Sequence, residues 1–296
     1  MRLKLMVQIS MLALFGMLPT TIQAQTSGAA ESTLTYRTFY STALGQEKEC
    51  AVYLPPGYED MADPVPVVYF LHGLFGSERR WEERGAREVV DSLISDGSIR
   101  PMIVAIPDGD NSFYVNSVHG NAAYEDYIMQ DFIPFVEKSY RIESERSTRA
   151  ISGVSMGGYG ALMLAMRHPE FFSSASAHSA VLLPVPISQL PAKLLQSYQS
   201  QFFEAVFGNP IDESYWEQHN PVDLAVNTTA IKSVKWYFDC GTEDRYGFHR
   251  GAAKLNQVME SAGIEHEYGL YPGGHGWEYV RTTLHRSMTF HSRNFE

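Results

Sequence analysis

The run Ile151-Ser152-Gly153-Val154-Ser155-Met156-Gly157-Gly158 lies between an apolar, strand-like stretch and a helical one, Tyr159 to Arg167. A chain that passes from strand to helix within so few residues must turn sharply, and glycines on either side of the serine leave room for neighbouring backbone. The serine is then exposed at the end of a strand, and the start of the helix faces any negative charge that develops there. Ser155 is therefore a candidate nucleophile.

Around this turn the chain alternates extended and helical patterns. Strands are expected near residues 34–42, 47–54, 66–71, 101–107, 149–154, 172–178, 233–240 and 265–271. The first two read as a hairpin about Leu44-Gly45, and later strands are separated by helical patterns such as Trp81 to Leu93, Tyr124 to Tyr140 and Phe248 to Ala262. Alternation of this kind predicts an α/β fold, a mostly parallel eight-stranded sheet with helices on both faces. No repeat or long linker divides it, so residues 25–296 are read as a single domain. Residues 181–232, with Pro184, Pro186, Pro191, a helical piece near Ser200 to Phe207, and Trp216, interrupt the rhythm as an insertion. Cap over a site and plain surface excursion are equal readings of it.

Residues 1–24 stand apart. Arg2 and Lys4 precede an apolar run from Leu5 to Leu18, and Thr20 to Ala24 offers small residues for cleavage, the pattern of a signal peptide. The run is short for a membrane span. Export to the periplasm or the exterior is therefore expected, with no membrane attachment after cleavage. Cleavage removes two positive charges and no negative ones, taking the formal charge from −11 to −13. So acidic a chain is a poor nucleic-acid partner. Cys50 and Cys240 are the only cysteines and have no metal-ligand spacing. No metal or organic cofactor is expected.

Acyl transfer through a serine needs a base, a carboxylate to orient it and donors for the oxyanion. Each has a candidate beyond the C-terminal end of a strand, where open parallel sheets build their sites. Of ten histidines, His275 alone sits among glycines after the last strand, in Gly273-Gly274-His275-Gly276-Trp277. It is the candidate base. The acid comes from Asp239, Glu243 or Asp244. Asp244 follows the Gly241 bend and is favoured over Asp239, which falls inside the strand, while Glu243 reads as a solvated neighbour. One oxyanion donor is the Met156 amide, by position, and the second is expected from the glycine-framed loop His72-Gly73-Leu74-Phe75-Gly76-Ser77, with Leu74 preferred. His72 reads as a brace for that loop. The order serine, acid, histidine is that of α/β-hydrolases.

These residues together resemble the esterase D type esterases, which include feruloyl and acetyl xylan esterases, tributyrin esterases, S-formylglutathione hydrolases and secreted mycolyltransferases. The resemblance spans nearly the whole mature chain. It rests on Val52-Tyr53-Leu54-Pro55-Pro56-Gly57-Tyr58, Tyr69-Phe70-Leu71-His72-Gly73, Tyr140-Arg141, the Ser155 motif, Cys240-Gly241-Thr242-Glu243-Asp244 and Gly273-Gly274-His275. It implies an α/β-hydrolase fold with Ser155 as nucleophile, Asp244 as acid, His275 as base and the Leu74 and Met156 amides as oxyanion donors. The feruloyl branch further implies an aromatic pocket, for which Phe75, Trp81, Tyr114 and Trp277 are candidate walls. The expected activity is hydrolysis of a small-molecule or carbohydrate ester, acetyl, feruloyl or short-chain. Acyl transfer to another alcohol, thioester hydrolysis and a non-catalytic binding module are the alternatives. The family's strand order, 1-2-4-3-5-6-7-8, implies that Cys50 and Cys240 are far apart and unbridged.

Overall fold

The computed structural model describes residues 31–189, 200–227 and 230–296. Residues 1–24, read above as a signal peptide, lie outside the described residues, as does part of the insertion. Among them, eight strands form one sheet: β1 (Thr33–Ser41), β2 (Gln46–Leu54), β3 (Val67–Leu71), β4 (Ile103–Pro107), β5 (Arg149–Val154), β6 (Ser174–His178), β7 (Lys235–Gly241) and β8 (His266–Tyr271). Their order is β1-β2-β4-β3-β5-β6-β7-β8. The hairpin β1–β2 and the β2–β4 pair are antiparallel, and every other pair is parallel. Each strand begins and ends within two residues of its expected position.

Every residue of β3, β4, β5 and β6 is buried, as central parallel strands covered on both faces must be. Alternation then sorts the side chains. Val67, Tyr69 and Leu71 enter one apolar cluster, and Val68 and Phe70 the other.

Among the described residues the helices are α1 (Arg80–Glu83), α2 (Ala86–Ser95), α3 (Tyr124–Asp126), α4 (Ile133–Ser139), α5 (Met156–Arg167), α6 (Ser200–Phe207), α7 (Glu213–Glu217), α8 (Pro221–Asn227), α9 (Phe248–Ala262) and α10 (Trp277–Asn294). The first cluster lies under α4, α5 and α9, the second under α2 and α10, where Val280, Leu284 and Met288 make a stripe at helical spacing. The pattern from Trp81 to Leu93 is broken at Gly85, whose φ of +78° ends α1 and starts α2. That from Tyr124 to Tyr140 widens into a π-turn over Tyr127–Phe132, just ahead of Pro134, which has no N–H for the ladder.

Polar side chains bind α10 to the sheet. His291 is wholly buried, with Nδ1 2.7 Å from Ser174 Oγ and Nε2 2.7 Å from Ser176 Oγ. Ser176 gives its own proton to Ser152 Oγ at 2.8 Å, so His291 Nε2–H donates to Ser176 and Ser174 donates to Nδ1. Burial, reinforced by His178 and Arg293, pulls the His291 pKa down to about 3. The unfolded chain takes up this proton below about pH 6.5, whereas the folded chain does not. Stability is therefore unaffected by His291 above that pH and falls as pH drops from about 6.5 toward 3, by on the order of a few kcal/mol. Urea midpoints measured at pH 7, 5 and 4 should fall less steeply in His291→Gln than in the wild type; equal slopes would remove His291 from the account.

Cys50 on β2 and Cys240 on β7 are both free and buried. Four strands separate β2 from β7, and at about 4.8 Å per strand the cysteines lie roughly 24 Å apart, against the ~7 Å between Cα atoms that a disulfide tolerates. Burial pushes the Cys50 thiol up to about 12 and raises that of Cys240 as well, which keeps both unreactive at neutral pH. Mass spectrometry of the denatured, alkylated protein should find both modified without prior reduction. An intramolecular Cys50–Cys240 bridge would contradict the strand order.

Candidate active site

Ser155 occupies the turn between β5 and α5 with φ +55° and ψ −115°, a strained conformation for a residue with a side chain. The turn is held from three sides. Its N–H donates to His178 O at 2.9 Å, and its carbonyl accepts from the Tyr159 and Val181 amides at 3.0 and 3.2 Å. The flanking glycines are required by contact. A β-carbon on Gly153 would come within 2.2 Å of Gly157 O, and one on Gly157 within 2.0 Å of Leu71 O.

His275 Nε2 lies 3.0 Å from Ser155 Oγ, and its Nδ1 lies 2.8 Å from Asp244 Oδ2. The loops carrying the two partners are laced together, since Thr242 N–H donates to Tyr271 O at 2.8 Å and Glu243 N–H to Gly273 O at 2.9 Å. Gly241 lets them close, because a β-carbon there would meet Gly273 O at 2.3 Å. Asp244 is 4% exposed. Burial opposes its charge, but hydrogen bonds and attraction from His275, the Tyr246 amide at 2.9 Å and the Cys240 thiol at 3.4 Å outweigh it and hold the carboxyl below its usual range. A charged Asp244 draws the Nδ1 proton of His275 toward itself, leaving Nε2 to accept from the Ser155 hydroxyl.

Asp239 belongs to another network. Its carboxylate meets His178 Nδ1 at 2.9 Å, Tyr237 OH at 2.6 Å and Tyr279 OH at 2.8 Å, all within the sheet and α10. With Ser287 Oγ 2.7 Å from His178 Nε2, these groups form a second serine–histidine–aspartate line. It is closed to any substrate, because Ser287 and His178 are 0% exposed and Asp239 1%.

The loop after β3 approaches Ser155 because Gly73 has no side chain; a β-carbon there would lie 3.3 Å from Ser155 Cβ. His72 braces this loop. Its Nε2 accepts the Gly109 N–H at 2.9 Å, so Nδ1 carries the proton and donates to Gly73 O at 2.8 Å. The turn after β4 supplies the rest of the support: Asn111 Oδ1 accepts the Phe75 N–H at 2.8 Å, and Lys48, 5% exposed, pairs with Asp108 at 3.0 Å and Asp110 at 2.7 Å. Leu74 lines the cleft beside Ser155, and Met156 opens α5, where backbone N–H groups have no partner within the helix.

The cleft encloses about 270 Å³. Of the four aromatic walls expected, Phe75 and Trp277 line it. Trp81 and Tyr114 do not. Trp81 is 1% exposed and packs on Tyr53 in the core, with ring centroids 5.5 Å apart. Tyr114 is wholly buried beneath the loop after β3, its hydroxyl donating to His72 O at 3.1 Å, so it supports the site from below.

Several contributors went unread in the sequence. Tyr246 and Phe248 hold the His275 ring by edge contacts at 4.8 and 5.5 Å, and Arg80 and Arg84 border the cleft. Asn111 had a signal, since Asp108-Gly109-Asp110-Asn111 follows a strand that neighbours β3. The described part of the insertion packs against α5 and the 116–118 segment, with Tyr159 OH donating to His219 O at 2.8 Å and Tyr215 OH to Asn116 O at 2.6 Å. At the cleft, Phe202 of α6 meets Phe75 edge-on at 5.2 Å.

The chain is similar to named proteins across most of its length. An esterase of Mycobacterium tuberculosis is 28% identical over 266 residues, 82% of this chain and 55% of the relative, so the chain spans about half the length of that protein. An acetyl esterase of Caldicellulosiruptor saccharolyticus is 27% identical over 256 residues, 81% of this chain and 91% of the relative. Among solved structures, a ferulic acid esterase is 29% identical with a TM-score of 0.77, covering 90% of this chain and all of that one. The family described as "Putative esterase" matches residues 41–291, from the end of β1 into α10. The match takes in β2 through β8 and every residue that converges on Ser155, and this chain accordingly belongs to that esterase family, with the α/β-hydrolase fold.

Proposed function

We propose that this protein is an exported serine esterase that hydrolyses carboxylic esters of carbohydrates through an acyl-enzyme on Ser155. The observation that carries the reading is the unbroken line from Asp244 through His275 to Ser155, with steps of 2.8 and 3.0 Å. Ser155 Oγ attacks the carbonyl carbon while His275 Nε2 takes its proton, and the oxyanion accepts from the Leu74 and Met156 amides. Collapse breaks the bond to the alcohol oxygen, which receives the proton from His275. Water then repeats the sequence on the acyl-enzyme and frees the acid. Relatives named acetyl esterase and ferulic acid esterase support an acetyl or feruloyl acyl group, and the basic, then apolar, N-terminal segment supports export.

A cleft of about 270 Å³ favours short or flat acyl groups over long chains. With acetyl, butyryl, octanoyl and feruloyl esters of one chromogenic alcohol, kcat/KM should be at least about tenfold higher for acetyl or feruloyl than for octanoyl. Absence of turnover on all four would overturn the esterase reading.

A further inference from the structure

Beyond the cleft at Ser155, a larger groove of about 1010 Å³ runs between the α1–α2 turn and α10. The two adjoin at Arg84 and Trp277, which line both. We propose that this groove is the subsite for the alcohol half of the substrate, and that it takes an oligosaccharide. The inference rests on the esterase reading and adds to it where the glycan lies.

Direction comes from the chemistry of His275. The group that protonates the departing alcohol must lie on the alcohol's side of Ser155. From His275 the chain continues through Gly276 into Trp277 and α10, one wall of the groove, so an alcohol leaving past His275 enters it. Size agrees, since 270 Å³ at the catalytic cleft leaves no room for several sugar rings beside an acyl group.

The lining selects the ligand class. Trp277 is half-buried, packed on Phe70 at 6.0 Å, and offers a planar surface of the kind on which the C–H face of a pyranose packs. Around it stand Glu82, Glu83, Glu88 and Glu278 with Arg84 and Arg281, donors and acceptors suited to a polyhydroxylated chain. An apolar occupant would strip water from these charges without replacing its hydrogen bonds. The α1–α2 turn comes close to α10 here, with a β-carbon on Gly85 falling 3.2 Å from Arg281 Cδ.

The test compares kcat/KM for acetylated xylohexaose with kcat/KM for 4-nitrophenyl acetate, in the wild type and in Ser92→Trp, which fills the groove from α2. The ratio of the two is independent of how much folded enzyme a preparation contains. It should fall at least fivefold in the variant, and a ratio held within fivefold of the wild type overturns the proposal. The same shift is required of Thr282→Trp on the opposite wall, so that a folding failure in one variant leaves the other to decide. A wild type that cleaves 4-nitrophenyl acetate but not the acetylated oligosaccharide also overturns the subsite while leaving the esterase reading intact. Failure on both substrates overturns the esterase reading itself.

Discussion

Ser155→Ala should lower esterase turnover by at least about 10³-fold and leave the circular dichroism spectrum unchanged. The loss follows from the proposed mechanism, in which without Oγ no acyl-enzyme forms and what remains is binding and oxyanion stabilisation of a reaction with water. The fold survives because what holds the turn is main chain: the Ser155 amide on His178 O and the Ser155 carbonyl under the Tyr159 and Val181 amides. Ser155→Gly should be equally inactive and unfold at higher temperature than Ser155→Ala, because glycine accepts φ +55° and ψ −115° without strain of the order of 1–3 kcal/mol. A well-folded Ser155→Ala with near wild-type turnover would end its assignment as nucleophile.

The second large effect separates two aspartates five residues apart. Asp244→Asn should reduce turnover by about 10³-fold or more, because an amide facing Nδ1 no longer fixes the tautomer that leaves Nε2 free to take the serine proton. Its stability should change little. Asp239→Asn should do the reverse, costing on the order of a few kcal/mol by disturbing a fully buried carboxylate on which His178, Tyr237 and Tyr279 converge. Urea unfolding and steady-state kinetics on both variants give the comparison. An active, stable Asp244→Asn beside an inactive, stable Asp239→Asn would exchange their roles.

The legible part of this sequence was the part governed by short-range rules. Strand positions followed from alternation and turn residues, and the three groups of the Asp244–His275–Ser155 line followed from glycines that follow strands, since a loop needs them to bring a side chain close to another backbone. The choice of Asp244 depended on one boundary: with β7 ending at Gly241, Asp239 points into the sheet network and Asp244 falls on the loop. The aromatic walls had no such rule. Trp81 lies on a helix of four residues, too short for any periodicity to reveal its face, and Tyr114 follows Phe113 through two positive φ angles, +55° and +58°, in a turn that side-chain alternation does not describe. Tyr246 and Phe248 escaped for another reason. Their contact with His275 joins a segment before α9 to one after β8, and nothing in either segment alone announces the other.

The glycine contacts around Ser155 also bear on how such a protein tolerates change over generations. On the proposed mechanism, replacing Ser155, His275 or Asp244 costs the reaction and leaves the cell with as much folded protein as before. Replacing Gly153, Gly157 or Gly241 drives a β-carbon to within 2.0–2.3 Å of a main-chain oxygen that cannot rotate away, so the loss is of the protein itself. A lineage that abandons catalysis can therefore change Ser155, Asp244 and His275 freely while the glycines stay fixed, and the architecture of the site outlasts its chemistry.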